Sequence, residues 1–221
     1  MEGMGESRLA VASEMATQIG RVASRLFATH GYDATSVRMI VEEAGVTKPT
    51  LYYHFGSKEG LAQALLIDPL HRLAEELVAR GEREIDPTTA LVAQVEAHFG
   101  FMREDADRSR LLYAMFFGPL SSSLSSSLAG FGERLIEAIR ASVDRMVAAG
   151  VLEGGRSSAF LAACRGVIVI YTMGFLYHSK GCLLPGEGMD DATLARSIVD
   201  DLIRGFGAVS RPLPTAVGEH R

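Results

Sequence analysis

Tryptophan is absent, and cysteine nearly so: the 221 residues hold only Cys164 and Cys182. Neither sits in a C-x-x-C pair, and no disulfide framework exists beyond a single bridge. On one helix the two thiols would lie about 27 Å apart, too far to bond, so reduced cytosolic thiols are expected. Long hydrophobic runs are also missing. The longest uncharged apolar run, GVIVIYTMGFLY at 166–177, falls short of the ~20 residues that cross a bilayer. The N-terminus MEGMGESRLA has no basic region followed by an apolar stretch, so no signal peptide is expected. A surplus of positive charge is lacking as well. Lys and Arg number 22 against 27 Asp and Glu, a net charge of −5. Nucleic-acid contact would therefore need a local patch. The histidines at 30, 54, 71, 98, 178 and 220 show no metal-binding spacing. No G-x-S-x-G, Walker or dinucleotide-binding glycine pattern occurs. No metal, cofactor or enzyme activity is expected. An enzyme would need a catalytic pair assembled only by the fold.

What the chain does have is apolar periodicity. Hydrophobic residues make up 48% of it, enough for the core of one large domain or two small ones. Residues 1–12 are small and polar and are expected to fray. From Met15 the pattern is helical: Ile19, Val22, Ala23, Leu26 and Phe27 share one face, and Gly31 ends it. Thr35 and Ser36 can cap a second helix, with Val37, Ile40, Val41 and Ala44 inward and Gly45 as its stop. Thr47 caps a third helix that tolerates Pro49 in its first turn and ends near Gly56. Ser57 caps a fourth, with Leu61, Leu65 and Leu66. At Asp68-Pro69 the helix must kink or restart, with Asp68 as cap.

The pattern resumes through Leu73, Leu77 and Val78 to Arg83, and Asp86-Pro87 starts a helix carrying Leu91, Val95, His98, Phe99 and Met102. REDADRSR (103–110) reads as a solvated corner and LLYAMFFG as a short apolar helix. SSSLSSSL (121–128) reads as a polar loop entering a long helix with Leu124, Leu128, Leu135, Ile139 and Val143, which runs to Gly150. EGGR (153–156) is a turn. Segment 157–180 is apolar almost all round. Its VIVIYT core reads as a strand on β-branched content, or as a helix. No comparable second strand exists to pair with it, so helix is expected. A Gly/Pro-rich link at 181–188 leads to a last helix with Leu194, Ile198, Leu202 and Phe206, and the tail from Arg211 has little to bury. The fold class is all-α, with roughly nine or ten helices. A boundary in role falls near residues 56–66.

The segment VTKPTLYYHFGSKEG (46–60) asks for an explanation. At 100° per residue, Leu51 and Phe55 point inward, while Pro49, Thr50, Tyr52 and Tyr53 point outward between Lys48 and His54. Soluble proteins rarely expose two adjacent tyrosines beside a lysine without a use. Tyr and Thr hydroxyls, Lys and His bind phosphate oxygens, and Thr and ring edges can touch thymine methyls. Two short helices joined through Gly45 form a helix-turn-helix whose second helix can enter a major groove. The helix starts at Thr35-Ser36 and Ser57-Lys58 would flank it as phosphate sites. Plainer readings stand beside these. One tyrosine packs on the fourth helix, Arg38 is merely solvated, or Lys58 only pairs with Glu59 or caps a helix.

In order and spacing, F-x-x-x-G-Y, T-S-V-R, A-G-V-T-K, T-L-Y-Y-H-F and S-K-E-x-L occur within 17–66. This stretch resembles the N-terminal DNA-binding domain of TetR/AcrR-family transcriptional regulators. The resemblance implies an arm and three-helix helix-turn-helix domain over 1–66, then a larger helical effector-binding and dimerisation domain over 67–221. It places Thr35, Ser36, Lys48, Tyr52, His54 and Lys58 on phosphates, and Arg38, Pro49, Thr50 and Tyr53 at base edges. Met39 departs from the family's frequent acidic residue and removes a capping box. Through Leu66 there are six Lys/Arg against seven Asp/Glu, so affinity should rest on a few phosphate contacts.

In the second half, the helix from Phe160 to Tyr177 is apolar on both sides and needs two partners, its own core and another chain. Gly166 and Gly174 would allow close approach. The resemblance likewise implies a homodimer through a four-helix bundle of the last two helices, with reading helices about 34–36 Å apart. His98, Phe99, Met102, Tyr113, Phe116, Phe117, Arg165, Tyr171 and Tyr177 are the candidate ligand-binding residues; the alternative for the Phe and Met residues is plain core. Arg165, in an apolar segment, would need an internal carboxylate or an anionic ligand. Nine methionines suit an adaptable pocket. The expected protein is a cytoplasmic, dimeric regulator, a repressor rather than an activator. It would bind a palindromic double-stranded operator and be released by a hydrophobic or amphipathic small molecule. The alternative is a small-molecule-binding helical protein, or an enzyme, that keeps a DNA-binding head without a regulatory role.

Overall fold

The structure, a computed structural model, describes residues 3–117, 125–177 and 188–206. Its helices are α1 (Gly3–His30), α2 (Val37–Ala44), α3 (Lys48–Phe55), α4 (Lys58–Ala62), α5 (Asp68–Arg83), α6 (Pro87–Glu104), α7 (Ala106–Phe117), α8 (Ser125–Ala148), α9 (Ser157–Tyr177) and α10 (Asp191–Phe206). A π turn, Gln63–Ile67, links α4 to α5, and a 3-10 turn, Gly154–Arg156, precedes α9. Leu124, the link at 181–187 and the tail from Arg211 lie outside the described residues.

The apolar stripe of α1 is buried as its spacing predicts, against Ile40, Val41 and Ala44 of α2 and Leu51 of α3. The helix begins at Gly3, not at Met15. Met4, Glu6, Arg8, Leu9 and Ala10 are good helix formers, and that propensity favours the earlier start. The corner between α2 and α3 turns on Gly45 at φ 65°, a left-handed conformation that favours glycine. Its N–H and that of Val46 close back onto α2 carbonyls, as in a Schellman ending. At the far end of α3, a Cβ on Gly60 would lie 2.0 Å from the Phe55 carbonyl oxygen. Only glycine lets α4 start this close behind α3.

Asp68 does not cap a new helix. Its backbone N–H donates to the Gln63 carbonyl, five residues back, and its carboxylate accepts from Gln63 Nε2 at 2.8 Å. Pro69 has no N–H to offer the Leu65 carbonyl, and a widened π turn lets the chain continue without a break. One core runs from Ile19 through Leu66 and Ile67 into Leu70, Leu73, Leu111 and Phe131, so packing continues past residue 66. A second core gathers Leu91, Val95, Phe99, Ile139, Val143, Phe160, Ile168 and Ile198 from α6, α8, α9 and α10.

Buried polar groups tie these layers. Gln94 Nε2 donates to the Leu77 and Ala138 carbonyls at 2.9 and 3.1 Å, joining α5, α6 and α8. Arg145 of α8 bonds the carbonyls of Gly81, Glu84 and Ile85 at the end of α5.

The segment 103–110 is not a solvated corner. α7 starts at Ala106, and Arg108 and Ser109 are buried. The Arg108 guanidinium lies 3.9 Å from the Phe101 ring centroid and donates to the Phe101 carbonyl at 2.8 Å. The Glu104 carboxylate, 3.3 Å from the same guanidinium nitrogen, adds an opposite charge, and a cation held by a ring, a carbonyl and a carboxylate can leave water.

Segment 157–177 is helical. With its leading turn, Gly154–Tyr177 is long and apolar enough to cross a membrane by length and composition, which the uncharged run alone did not reach. Its inward residues Phe160, Leu161, Cys164, Ile168, Thr172 and Leu176 are buried. Burial pushes the Cys164 thiol up to about 12, where it stays an inert core residue.

Candidate nucleic-acid interface

α3 is anchored by buried Leu51 and half-buried Phe55. Thr47 Oγ1 accepts from the Thr50 N–H at 3.3 Å and shares a 2.8 Å hydrogen bond with Thr50 Oγ1, so Thr47 sets the Thr50 rotamer. The rest of the helix faces outward. Tyr53 is 82% exposed and Tyr52 46%, so neither is packed away on α4. Lys48 and Pro49 are exposed, and the His54 ring stands edge-on to Tyr53 at 5.1 Å. Two aromatics, a lysine and a threonine thus share one outward surface.

The two flanks of α3 differ. At the start of α2, Ser36 Oγ accepts from the Met39 N–H at 3.2 Å, and the first turn holds no acidic residue. The positive end of that helix is open to an anion. Thr35 does not join it. It is fully buried, and its hydroxyl donates to the Gly31 and Leu26 carbonyls at 2.8 and 3.2 Å. The phosphate contact expected of its side chain is corrected, because that hydroxyl instead closes the turn between α1 and α2.

At the start of α4, Ser57 Oγ accepts from the Gly60 N–H at 3.0 Å. Glu59 sits in the same first turn. Its own backbone N–H, and then the Ser57 hydroxyl, hold its carboxyl below the usual range. This helix end already serves a carboxylate, and what it offers outward is Lys58. The Lys58 ammonium lies 4.3 Å from the Tyr32 ring centroid and 3.5 Å from the Asp33 carbonyl. Tyr32, noticed in the sequence only within a motif, orients this cation. Arg38 is exposed and bonds Glu42 at 2.6 Å, which raises its pKa. To meet a base edge it must exchange that partner.

Farther along, a cavity of about 90 Å³ opens between α6, α7, α8 and α9. Its lining takes in His98, Met102, Tyr113, Phe116, Phe117 and Arg165. Phe99, Tyr171 and Tyr177 lie elsewhere. Phe99 is fully buried in the second core, edge-on to Phe175 at 5.2 Å and 6.3 Å from Tyr171. Tyr177 is exposed, its hydroxyl 3.5 Å from the Arg110 carbonyl. The lining also uses Phe131, Leu135 and Ile139 of α8 and Ile168 and Val169 of α9. In the sequence these are ordinary stripe positions, with no signal separating cavity from core. Burial lowers the His98 pKa to about 4, and its Nε2 has no hydrogen-bond partner among the described residues. Burial raises the Tyr113 pKa, and a hydrogen bond to Thr172 opposes that shift. Among the described residues no three His, Cys, Asp or Glu side chains cluster as a metal site.

Residues 19–65 match the bacterial regulatory proteins of the tetR family. The chain is similar to the HTH-type transcriptional activator FasR of Mycolicibacterium smegmatis, 38% identical over 95 residues, or 41% of this chain and 42% of that protein. That match spans less than half of the relative's length. It is also similar to the uncharacterised HTH-type transcriptional regulator YdgC of Bacillus subtilis, 26% identical over 190 residues, or 84% of this chain and 89% of that one. Among solved structures it resembles the TetR family transcriptional regulator PfmR of Thermus thermophilus, with a TM-score of 0.62 and 28% identity, covering 84% of this chain and 97% of that one.

Proposed function

From the premise that this chain is a TetR-family DNA-binding transcriptional regulator, we propose that it is a cytoplasmic dimeric repressor of a palindromic operator, released by a hydrophobic or amphipathic small molecule. The outward face of α3, with Tyr53 82% exposed beside Tyr52 and Lys48, carries this reading. α3 enters the major groove, with Pro49, Thr50 and Tyr53 at base edges and Arg38 joining once it leaves Glu42. Lys48, Tyr52, His54, Ser36 and Lys58 hold the phosphates on either side.

A second copy pairs through α9 and α10. Only 33% of the apolar window of α9 is buried within one chain, Ile170 is 53% exposed, and a Cβ on Gly166 would meet nothing. The effector enters the cavity behind α7. α7 packs on both α1 and the π turn beside α4, so enlarging the cavity moves the head and changes the separation of the two reading helices.

Selection from random duplex DNA at two salt concentrations tests the reading. A palindromic motif is expected, with a salt slope of several phosphates per dimer. Weak binding with no enriched sequence would sink it. An effector that saturates the protein yet leaves operator affinity unchanged would remove the release step. A reporter gene whose expression falls when the protein is deleted would replace repression by activation.

A further inference from the structure

Among the described residues, the cavity lining is apolar apart from His98, Tyr113 and Arg165, and it contains no aspartate or glutamate. The Tyr113 hydroxyl is matched by Thr172. The other two polar groups are unmatched. His98 is 5% exposed, and its Nε2 has no partner among the described residues. A buried ring nitrogen without a partner is uncommon in a packed core and asks what meets it. Arg165 pairs with no carboxylate among the described residues and lies on the exposed side of α9, where the lining reaches the surface.

These two positions divide the cavity. At its rim stands a guanidinium, which suits an anionic group and repels a cation. In its wall stands an imidazole that burial keeps neutral. A neutral imidazole offers one donor and one acceptor nitrogen, so a hydroxyl can meet Nε2 in either tautomer and a carbonyl in one of them. The rest of the lining includes Phe131, Leu135, Ile139 and Ile168, which ask for hydrocarbon.

We propose that the effector is an anionic amphiphile whose charged end is held by Arg165 at the rim and whose apolar body carries a hydroxyl or carbonyl that pairs with His98 Nε2. This rests on reading the cavity as the effector site, and it adds a charge sign, an orientation and a second polar mark. Cationic amphiphiles are disfavoured as effectors, because Arg165 repels them and no carboxylate among the described lining residues would neutralise them.

The test is calorimetric titration of the full chain with decanoate, a set of hydroxydecanoates differing in hydroxyl position, decanol and decyltrimethylammonium. Decanoate should bind at least tenfold tighter than the ammonium compound, and one hydroxydecanoate about tenfold tighter again. Arg165→Gln should weaken every carboxylate about tenfold and leave decanol unchanged. His98→Leu should erase the preference for the hydroxyl, and His98→Gln, which keeps a donor and an acceptor, should restore part of it. The proposal is overturned if no carboxylate binds, if the ammonium compound binds as well as decanoate, or if the hydroxyl preference survives His98→Leu. Operator binding by the ligand-free protein, measured on the same samples, separates the two readings. Its loss would sink the regulator and leave the anchors standing, while intact operator binding beside carboxylate binding that does not change in His98→Leu or Arg165→Gln would do the reverse.

Discussion

At the scale of single residues, His98 is the group whose protonation the fold opposes. Its pKa falls from 6.5 to about 4 on burial. Between those values the unfolded chain takes up a proton that the folded chain refuses. The stabilising effect is therefore complete above 6.5 and is lost as pH falls toward 4, by about 3 kcal/mol. Urea unfolding of wild type and His98→Leu at neutral pH and near pH 5 checks this, and the wild type should lose stability relative to the variant on acidification. Parallel profiles would refute it. Lys48→Ala should weaken operator binding across sequences and flatten the salt slope by about 2, from ~0.9 per phosphate in each half-site; an unchanged slope would take Lys48 off the backbone. The outward face of α3 was legible because a short helix with two inward side chains has one orientation. The burial of Thr35 was not, because where a cap hydroxyl points depends on how the preceding helix ends. The same limit misplaced Phe99, Tyr171 and Tyr177: periodicity says that a side chain points inward, not which neighbours surround it.

Among the elements, the junction of α3 and α4 has the least room. Gly60→Ala forces a methyl to within 2.0 Å of the Phe55 carbonyl oxygen. It should cost roughly 3 kcal/mol, at the top of the range for overpacking, and reduce operator affinity further by tilting α3. Gly100→Ala, where a Cβ would meet nothing within 4 Å, is the matched control. It should be neutral or stabilising by up to ~1 kcal/mol, as helix propensity favours alanine. Denaturant unfolding of both variants decides the matter, and equal stabilities would show that the junction relaxes. Helix starts and stops were readable wherever a capping hydroxyl or a glycine stood alone, as at Ser36, Gly45, Thr47 and Ser57. They failed at Asp68-Pro69, where a π turn satisfied the backbone, and at Arg108, where the Phe101 ring and carbonyl and the Glu104 carboxylate allowed a charged residue inside.

For the whole molecule, the proposed assembly centres on α9. Ile170→Glu places a charge on a half-exposed position that does not support the monomer's core. It should shift the protein from dimer to monomer in sedimentation velocity, raise the dimer dissociation constant at least tenfold, and leave thermal unfolding of the monomer nearly unchanged. A variant that stays dimeric would move the interface elsewhere. The all-helical architecture could be read from periodicity alone, and the head from its motifs. The arrangement of α6 to α10 could not. Their stripes are interchangeable on a helical wheel, and only three-dimensional packing decides which stripe faces a cavity and which a core.

The size of that cavity has a consequence for timing. At about 90 Å³ it has room for roughly three waters, well below the ~300 Å³ at which drug-sized pockets begin. An effector that fills it must wait for the helices to part, a collective motion of microseconds to milliseconds or slower. The observed binding rate would then level off at high effector concentration, at the frequency of opening rather than of collision. Departure would be gated in the same way. A cell using such a switch would respond with a built-in lag and remain induced for a while after the signal had gone.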